Sequence, residues 1–179
     1  MEGDVDRWLK DLAVPFLIRV GIEPKQRILD FGCGPGFYTI PAARIAGKKG
    51  RVFALDKSAK VLRELEQRAK EENLSNIEIL LTSGELVIPL DDDSVDVCLL
   101  YDVIHSHYFT HQRRVTLLRD IQRVLKSGGL LSFYPSHMNF DTSKELLERM
   151  GFECIGTMQA TLLHYYSLKE DRILNFLSS

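Results

Sequence analysis

Three glycines at alternate positions are the residues best suited to bind a ligand through the backbone. Gly32, Gly34 and Gly36 follow a short apolar run that begins at Ile28, and residues able to start a helix come next. This order predicts a strand, a tight turn and a helix. Glycine allows backbone angles that a Cβ would forbid, and the unpaired N–H groups at a helix start can point at a ligand. The stretch therefore indicates a cofactor-binding turn.

The spacing of the glycines narrows the choice of cofactor. A dinucleotide-binding turn reads G-x-G-x-x-G, and its third glycine would fall on Phe37. A phosphate-binding loop would end in Gly-Lys-Ser/Thr, but no lysine lies between Gly32 and Ala46. What remains is a G-x-G-x-G turn preceded by Asp30 and without a cationic side chain. Such a turn suits a ligand that carries no phosphate.

A second acid stands where a ribose would lie. Asp56 is twenty positions beyond Gly36 and ends a predicted strand that starts at Arg51. In doubly wound α/β folds an acid near this position binds ribose hydroxyls, and one ionised carboxylate can accept both hydroxyl protons. The alternative is that Asp56 caps the next helix, since Lys57 and Ser58 follow it. We favour the ribose role because of the glycine turn that precedes it.

The residues after the predicted fourth strand are suited to proton transfer. The strand spans residues 95–100, and Tyr101, Asp102, His105 and His107 follow it. Ligands of open α/β sheets lie beyond the carboxyl ends of the strands, and histidine titrates near working pH. We expect His105 to act as a base, with Tyr101 and Asp102 shaping the cavity. The alternative, in which both histidines only pack beside neighbouring tyrosines, stays open.

A metal site is not expected from the sequence. His105, His107 and His111 have no cysteine or glutamate partners, and their spacing matches no structural zinc motif. The three aspartates at positions 91–93 are neighbours on a polar turn, where side chains diverge. We interpret them as a solvated loop.

The stretch from Asp30 to Gly36, D-F-G-C-G-P-G, resembles the first motif of the class I S-adenosylmethionine-dependent methyltransferases. The resemblance runs from about Asp4 to Leu168 and is closest to the small-molecule branch, of the methyltransferase type 11 or ubiquinone-biosynthesis-like kind. It implies S-adenosyl-L-methionine as the cofactor and a small-molecule methyl acceptor as the substrate. The residues that it places around the cofactor are Asp30, Gly32, Cys33, Gly34, Gly36, Tyr38, Asp56, Lys57, Ser83, Gly84, Glu85 and Tyr101.

Two departures from known patterns bear on this resemblance. The family commonly has an aspartate at the position of Gly84, where it holds the adenine amino group, so Ser83, Glu85 or backbone groups would take over that contact. Family members that methylate amino groups on nucleic acid usually carry a Pro-Pro-aromatic motif, where this chain has the residues 102–104, D-V-I. This difference favours a small-molecule acceptor.

The elements that must position these residues alternate between strand and helix. We expect an α/β fold of the Rossmann-like methyltransferase type, with a doubly wound, mostly parallel seven-stranded sheet and an antiparallel C-terminal strand. The chain is predicted to form one domain over residues 1–179, with two short N-terminal helices at 1–22, Pro15 near the start of the second, and a core at 23–179. The resemblance implies that the N-terminal segment is a lid over the cofactor; the alternative is a helix packed on the sheet edge. The last two strands are predicted to form an antiparallel hairpin that turns around Ala160.

Composition gives the remaining expectations. The chain has 179 residues and a net charge of -2, which offers no general attraction for nucleic acid. Three widely spaced cysteines form no disulfide pattern, and the sequence has no signal peptide or long apolar segment. We therefore expect a cytoplasmic protein with neither a nucleic-acid nor a membrane partner.

Three functions are consistent with these observations. The first is a methyltransferase that acts on a small molecule. The second is a catalytically silent subunit of the same fold that binds S-adenosylmethionine and activates a partner. The third is an NAD-dependent oxidoreductase, which Phe37 disfavours.

Overall fold

In the described part of the chain, residues 3–105 and 109–179, the computed structural model has seven strands in one mixed sheet. They are β1 Arg27–Phe31, β2 Arg51–Asp56, β3 Ile77–Leu81, β4 Val95–Tyr101, β5 Leu125–Tyr134, β6 Glu153–His164 and β7 Ser167–Leu177. Their spatial order is β3-β2-β1-β4-β5-β7-β6. His107 and Tyr108, which follow the fourth strand in the sequence, lie outside the described residues.

The helices of the described chain alternate with the first strands and then lie between β4, β5 and β6. They are α1 Asp4–Arg7, a π-helical segment Trp8–Leu12, α2 Ala13–Val20, α3 Thr39–Ala46, α4 Ala59–Glu71, α5 His111–Val124 and α6 Phe140–Arg149. Polar residues start the last three helices: the side chains of Ser58, Thr110 and Asn139 each accept a hydrogen bond from the first turn. The sequence therefore fixes where these helices begin.

Strand alternation decides what each face of the sheet buries. Ile28 and Val52 point to the face covered by α2 and α3, whereas Leu29 and Phe53 point to the face covered by α5. Both faces are covered by helices, as a parallel sheet requires. In the described residues no helix is long and apolar enough to cross a membrane.

The strand directions confirm the predicted fold class. β1 pairs in parallel with β2 and β4, β2 with β3, and β4 with β5, while β7 runs antiparallel to both β5 and β6. Strand order reverses between β1 and β4, because the chain first builds outward to β3 and then returns to the other side of β1. Ligands of such sheets bind at this switch point.

The predicted position of the C-terminal hairpin turn is wrong. Ala160 lies inside β6, where it pairs with Asp171, and the turn falls at Tyr165 and Tyr166. Both tyrosines have positive φ angles, 44° and 67°. Left-handed backbone favours glycine or asparagine, so two tyrosines gave no turn signal in the sequence.

The N-terminal segment packs on the sheet as a nearly continuous helix. Pro15 occupies the third position of α2, and the backbone widens into the π-helical segment just before it. Trp8 and Leu17 are fully buried, and Phe16 is 4% exposed. The predicted helical break near Pro15 is therefore a change of helix type.

Candidate functional site

The glycine turn wraps around the end of β2. The backbone N–H groups of Gly32 and Cys33 both donate to the carbonyl of Leu55, at 2.8 and 3.0 Å. Gly32, Gly34 and Gly36 all have positive φ angles, of 74°, 53° and 87°. This conformation is the one that glycine adopts without steric cost, so the turn depends on the three glycines.

The three glycines differ in what a side chain would meet. A Cβ on Gly32 would lie 2.5 Å from Cγ2 of Val103, and one on Gly36 would collide with Leu65 of α4. A Cβ on Gly34 would meet nothing within 4 Å. Gly32 and Gly36 therefore permit close packing within the protein, whereas the bare backbone of Gly34 faces open space.

Asp56 ties the glycine turn to the start of α4. Its Oδ2 accepts from the N–H of Gly34 at 3.0 Å, and its Oδ1 accepts from the N–H of Ser58 at 2.8 Å. The cap of α4 is Ser58, whose Oγ accepts from the N–H of Val61. Each carboxylate oxygen of Asp56 has a further lone pair with which it can accept a ligand hydroxyl.

Two of the predicted site residues lie beneath the turn. Asp30 is 3% exposed, and its Oδ2 accepts a 2.6 Å hydrogen bond from Thr39 Oγ1. Burial raises the pKa of Asp30 to about 7, which the Thr39 bond opposes and the charge of Asp56 reinforces. Burial also raises the pKa of the Cys33 thiol. Both side chains therefore support the turn from inside the protein.

A cavity of about 480 Å³ opens at the carboxyl ends of β1, β2, β3 and β4. Seven of the predicted site residues line it, namely Gly32, Asp56, Lys57, Gly84, Glu85, Asp102 and His105. Residues that were not predicted from the sequence complete the wall. Phe109 lies just before α5 and Arg113 in its first turn, where Arg113 Nη2 donates to the carbonyl of Gly84 at 3.4 Å.

The remaining predicted residues lie away from the wall of this cavity. Ser83 lines a neighbouring groove with Leu81 and Val87. Tyr38 and Tyr101 pack edge to face, with ring centroids 4.8 Å apart. The hydroxyl of Tyr101 lies 2.6 Å from Ser132 Oγ, and that of Tyr38 donates to the carbonyl of Leu163. Both tyrosine hydroxyls are thus held by other strands.

Three imidazoles surround the carboxylate of Asp102, and we call this group the histidine cluster (His105, His137, His164 and Asp102). Asp102 Oδ1 lies 3.6 Å from His105 Nε2 and 3.3 Å from His137 Nε2, and Oδ2 lies 3.0 Å from His164 Nδ1. His105 Nε2 also lies 2.9 Å from the Asp102 carbonyl oxygen, to which it donates. The rings of His105 and His137 are stacked with centroids 4.4 Å apart.

One buried nitrogen of His164 has no hydrogen-bond partner among the described residues. This atom is Nδ1, whose contact with Asp102 does not have hydrogen-bond geometry. Burial lowers the pKa of His164, although the charge of Asp102 opposes the shift. The neutral imidazole is therefore favoured at this position.

These features are typical of a cofactor-binding α/β protein. The sheet is doubly wound, the glycine turn lies at its switch point, an acid ends the next strand, and the turn and the acid share one cavity. The methyltransferase domain family matches residues 28–129, which is more than half of the chain. The chain belongs to this family. The expected membership of the class I S-adenosylmethionine-dependent methyltransferases is confirmed.

Several demethylmenaquinone methyltransferases are similar to the chain. That of Bacillus velezensis is 33% identical over 161 residues, covering 88% of this chain and 67% of that protein. That of Geobacillus stearothermophilus is 30% identical over 124 residues, covering 69% and 49%. The chain spans about half the length of most of these curated relatives.

Solved structures share the fold at lower identity. An S-adenosylmethionine-dependent methyltransferase from Aquifex aeolicus superposes with a TM-score of 0.79 at 20% identity, over 99% of this chain and 95% of that one. A second, from Methanosarcina mazei, has a TM-score of 0.74 at 17% identity, over 92% and 97%. These likenesses show the architecture.

Proposed function

We propose that the chain is an S-adenosylmethionine-dependent methyltransferase that acts on a small-molecule acceptor. One observation carries the proposal: a single cavity joins the glycine turn and Asp56 at one side to Asp102 and His105 at the other. The residues proposed to bind the methyl donor and the residue proposed to accept the proton thus line the same cavity. The whole chain, residues 1–179, serves as one unit in this proposal.

The residues around the cavity fit the proposed donor. Its volume of about 480 Å³ falls in the usual range of roughly 300 to 1,000 Å³ for small-molecule sites. The carboxylate of Asp56 has free lone pairs that can accept hydrogen bonds from ribose hydroxyls. A Cβ on Gly84 would meet nothing within 4 Å, so the space beside Gly84 can hold a flat base. When bound, S-adenosylmethionine supplies an electrophilic methyl group on a sulfonium.

The chain's contribution to methyl transfer is mainly alignment and the exclusion of water, since the leaving group departs neutral. Phe109, Val103 and Leu86 give the cavity apolar walls. His105 takes the acceptor proton where the acceptor is a hydroxyl, thiol or protonated amine, and Asp102 fixes its ring through the 2.9 Å carbonyl contact. His105 is thus the proposed catalytic residue and Asp102 its positioning residue.

The acceptor proposed for testing first comes from the relatives. Several of them are named demethylmenaquinone methyltransferases, so demethylmenaquinone is the first acceptor to offer. The net charge of -2 supports a small molecule rather than a nucleic acid. Cys33, Cys98 and Cys154 are unpaired, which supports a reducing compartment such as the cytoplasm.

The proposal is tested by binding and then by turnover. Calorimetric titration with S-adenosylmethionine and, separately, with NAD tells a methyl donor from a nicotinamide cofactor. Transfer of a labelled methyl group is then measured with demethylmenaquinone and a panel of small hydroxyl, thiol and amine acceptors. Binding of the donor without transfer to any acceptor would favour the silent subunit, and preferential binding of NAD would contradict the proposal.

The role of His105 is tested on the acceptor that is found. His105→Ala should lower turnover by about a hundredfold or more and leave donor affinity unchanged, as expected for a general base. The matched control is His111→Ala, because His111 is an exposed histidine at the start of α5; this variant should keep full turnover. Full turnover in His105→Ala would leave alignment alone as the mechanism.

A further inference from the structure

We propose that the histidine cluster is a binding site for one divalent transition-metal ion, held by His105, His137 and Asp102 with His164 beside them. The potential ligand atoms of Asp102, His105 and His137 all lie within 4.8 Å of one another. Among the described residues this is the group that brings three such ligands together. The proposal goes beyond methyl transfer, since the proposed reaction does not require the ion; while an ion is bound, His105 is a ligand and not the base of that reaction.

The number and type of ligands favour a particular class of ion. Imidazole and carboxylate together suit Zn²⁺, Co²⁺, Ni²⁺ and Fe²⁺, whereas Mg²⁺ and Ca²⁺ prefer oxygen ligands throughout. Ligand atoms bound to such an ion stand about 2.0 to 2.2 Å from it. The side chains of Asp102, His105 and His137 must therefore close in by about an ångström, and the stacked rings of His105 and His137 must splay apart.

Unmet hydrogen-bonding capacity in the cluster points to a ligand. Three imidazoles converge on a single carboxylate, and the buried Nδ1 of His164 has no hydrogen-bond partner among the described residues. Buried polar atoms normally have partners. A cation would bind the lone pairs of the imidazole nitrogens and would offset the one negative charge of Asp102.

Two residues around the cluster have a left-handed backbone, and one of them places an aromatic ring beside two of the histidines. Asp102 has a φ of 57° and Tyr165 a φ of 44°, both in the left-handed region. The ring of Tyr165 lies 4.5 Å from that of His164 and 5.9 Å from that of His137. The β6–β7 turn imposes the angle at Tyr165 and thereby brings its ring against the cluster, and aspartate tolerates this region at position 102.

The carboxyl ends of three strands that run in the same direction build this site, although β7 lies between β5 and β6. Asp102 follows β4, His137 follows β5 and His164 ends β6, so their positions depend on the sheet rather than on one flexible loop. Ser136 Oγ donates a hydrogen bond to Asp102 Oδ1 and so helps to fix the carboxylate. Such support of a first ligand by a neighbouring residue is common at metal sites.

The test is a titration of the whole chain with Co²⁺, followed by its visible absorption, in the absence of methyl donor and acceptor. We expect saturable binding of one ion with a ligand-field band, displaced by Zn²⁺ and unaffected by Mg²⁺. His137→Ala and Asp102→Asn should each weaken binding by about a hundredfold or more, while His111→Ala should bind as the wild type does. Asparagine tolerates the left-handed backbone, so Asp102→Asn removes the charge without disturbing the turn.

The outcomes separate this proposal from the proposed function. Absence of saturable Co²⁺ binding, or equal affinity in His137→Ala and His111→Ala, would overturn the metal site and leave methyl transfer untouched. Thermal unfolding of each variant shows whether its fold is intact. If His137→Ala fails to fold, His164→Ala serves instead and should weaken Co²⁺ binding by at least about tenfold.

Discussion

Asp30 is a carboxyl group that the fold keeps almost entirely from water. It lies in β1 beneath the glycine turn, and its hydrogen bond from Thr39 does not make up for the lost solvation. Burial raises the pKa of Asp30 from its usual value near 3.8 to about 7. Between these two values the folded chain holds a proton that the unfolded chain has released.

This shift predicts how Asp30 makes stability depend on pH. The contribution of a group with a raised folded pKa is present below pH 3.8 and is lost as pH rises through about 7. The loss is at most about 4 kcal/mol, at 1.36 kcal/mol for each unit. Asp30→Asn should therefore reduce the dependence of the free energy of unfolding on pH between these two values, as measured by urea denaturation.

The control for this measurement is Asp91→Asn, an exposed aspartate in the loop before β4. Its profile should follow that of the wild type, because an exposed carboxyl group gains or loses little solvation on folding. A wild-type slope in Asp30→Asn would mean that water reaches Asp30 in solution.

At the scale of elements, the N-terminal helical segment packs tightly on the sheet. Trp8 is fully buried, its Nε1 donates to the carbonyl of Phe37 at 2.8 Å, and its ring contacts Phe16 and Tyr38. Phe37 directly follows the glycine turn. The segment therefore holds the turn as well as covering the sheet, and its role as a lid over the cofactor stays a prediction.

Substitution of Trp8 measures how firmly the segment is held. Trp8→Ala should lower the free energy of unfolding by about 3 to 5 kcal/mol, the usual cost of deleting a buried large aromatic ring. Trp8→Phe keeps a ring but strands the carbonyl of Phe37, so it should cost about 1 to 3 kcal/mol. A loss under about 1 kcal/mol in Trp8→Ala would instead describe a segment that leaves the core readily, as a lid does.

Most elements could be predicted from the sequence because local patterns determine them. The β1 strand, the glycine turn and the start of α4 follow from apolar runs, glycines and a serine cap. The C-terminal hairpin turn could not be placed, because Tyr165 and Tyr166 adopt angles that tyrosine rarely adopts and that the pairing of β6 with β7 imposes. A turn of that kind leaves no local signal.

At the scale of the whole molecule, the sheet brings together histidines that are far apart in the sequence. His105, His137 and His164 meet because β4, β5 and β6 all end at the same edge. The rule that ligands lie beyond strand ends predicted His105, and the same rule applied to β5 and β6 would have found the other two. The direction of Tyr101, by contrast, depends on its contact with Ser132 and could not be predicted.

Binding of the methyl donor should stabilise the entire fold, because its proposed site joins four strands. A ligand that binds only the folded chain adds about 2.7 kcal/mol at a concentration 100 times its Kd. For a chain of 179 residues this should raise Tm by roughly 5 to 10 °C. Differential scanning fluorimetry should show the rise with S-adenosylmethionine and none with NAD.

Two substitutions at one end of α4 make this thermal shift specific. Asp56→Ala removes the proposed ribose acceptor and should weaken donor binding by about 1 to 3 kcal/mol, so between about a third and nine-tenths of the rise in Tm should vanish. Ser58→Ala removes only the helix cap, which lowers the starting Tm through a loss of about 1 kcal/mol but leaves the rise intact. Asp56 and Ser58 both lie at the junction of β2 with α4, but only Asp56 lines the cavity. Equal rises in Tm for the two variants would therefore mean that the donor does not bind at Asp56.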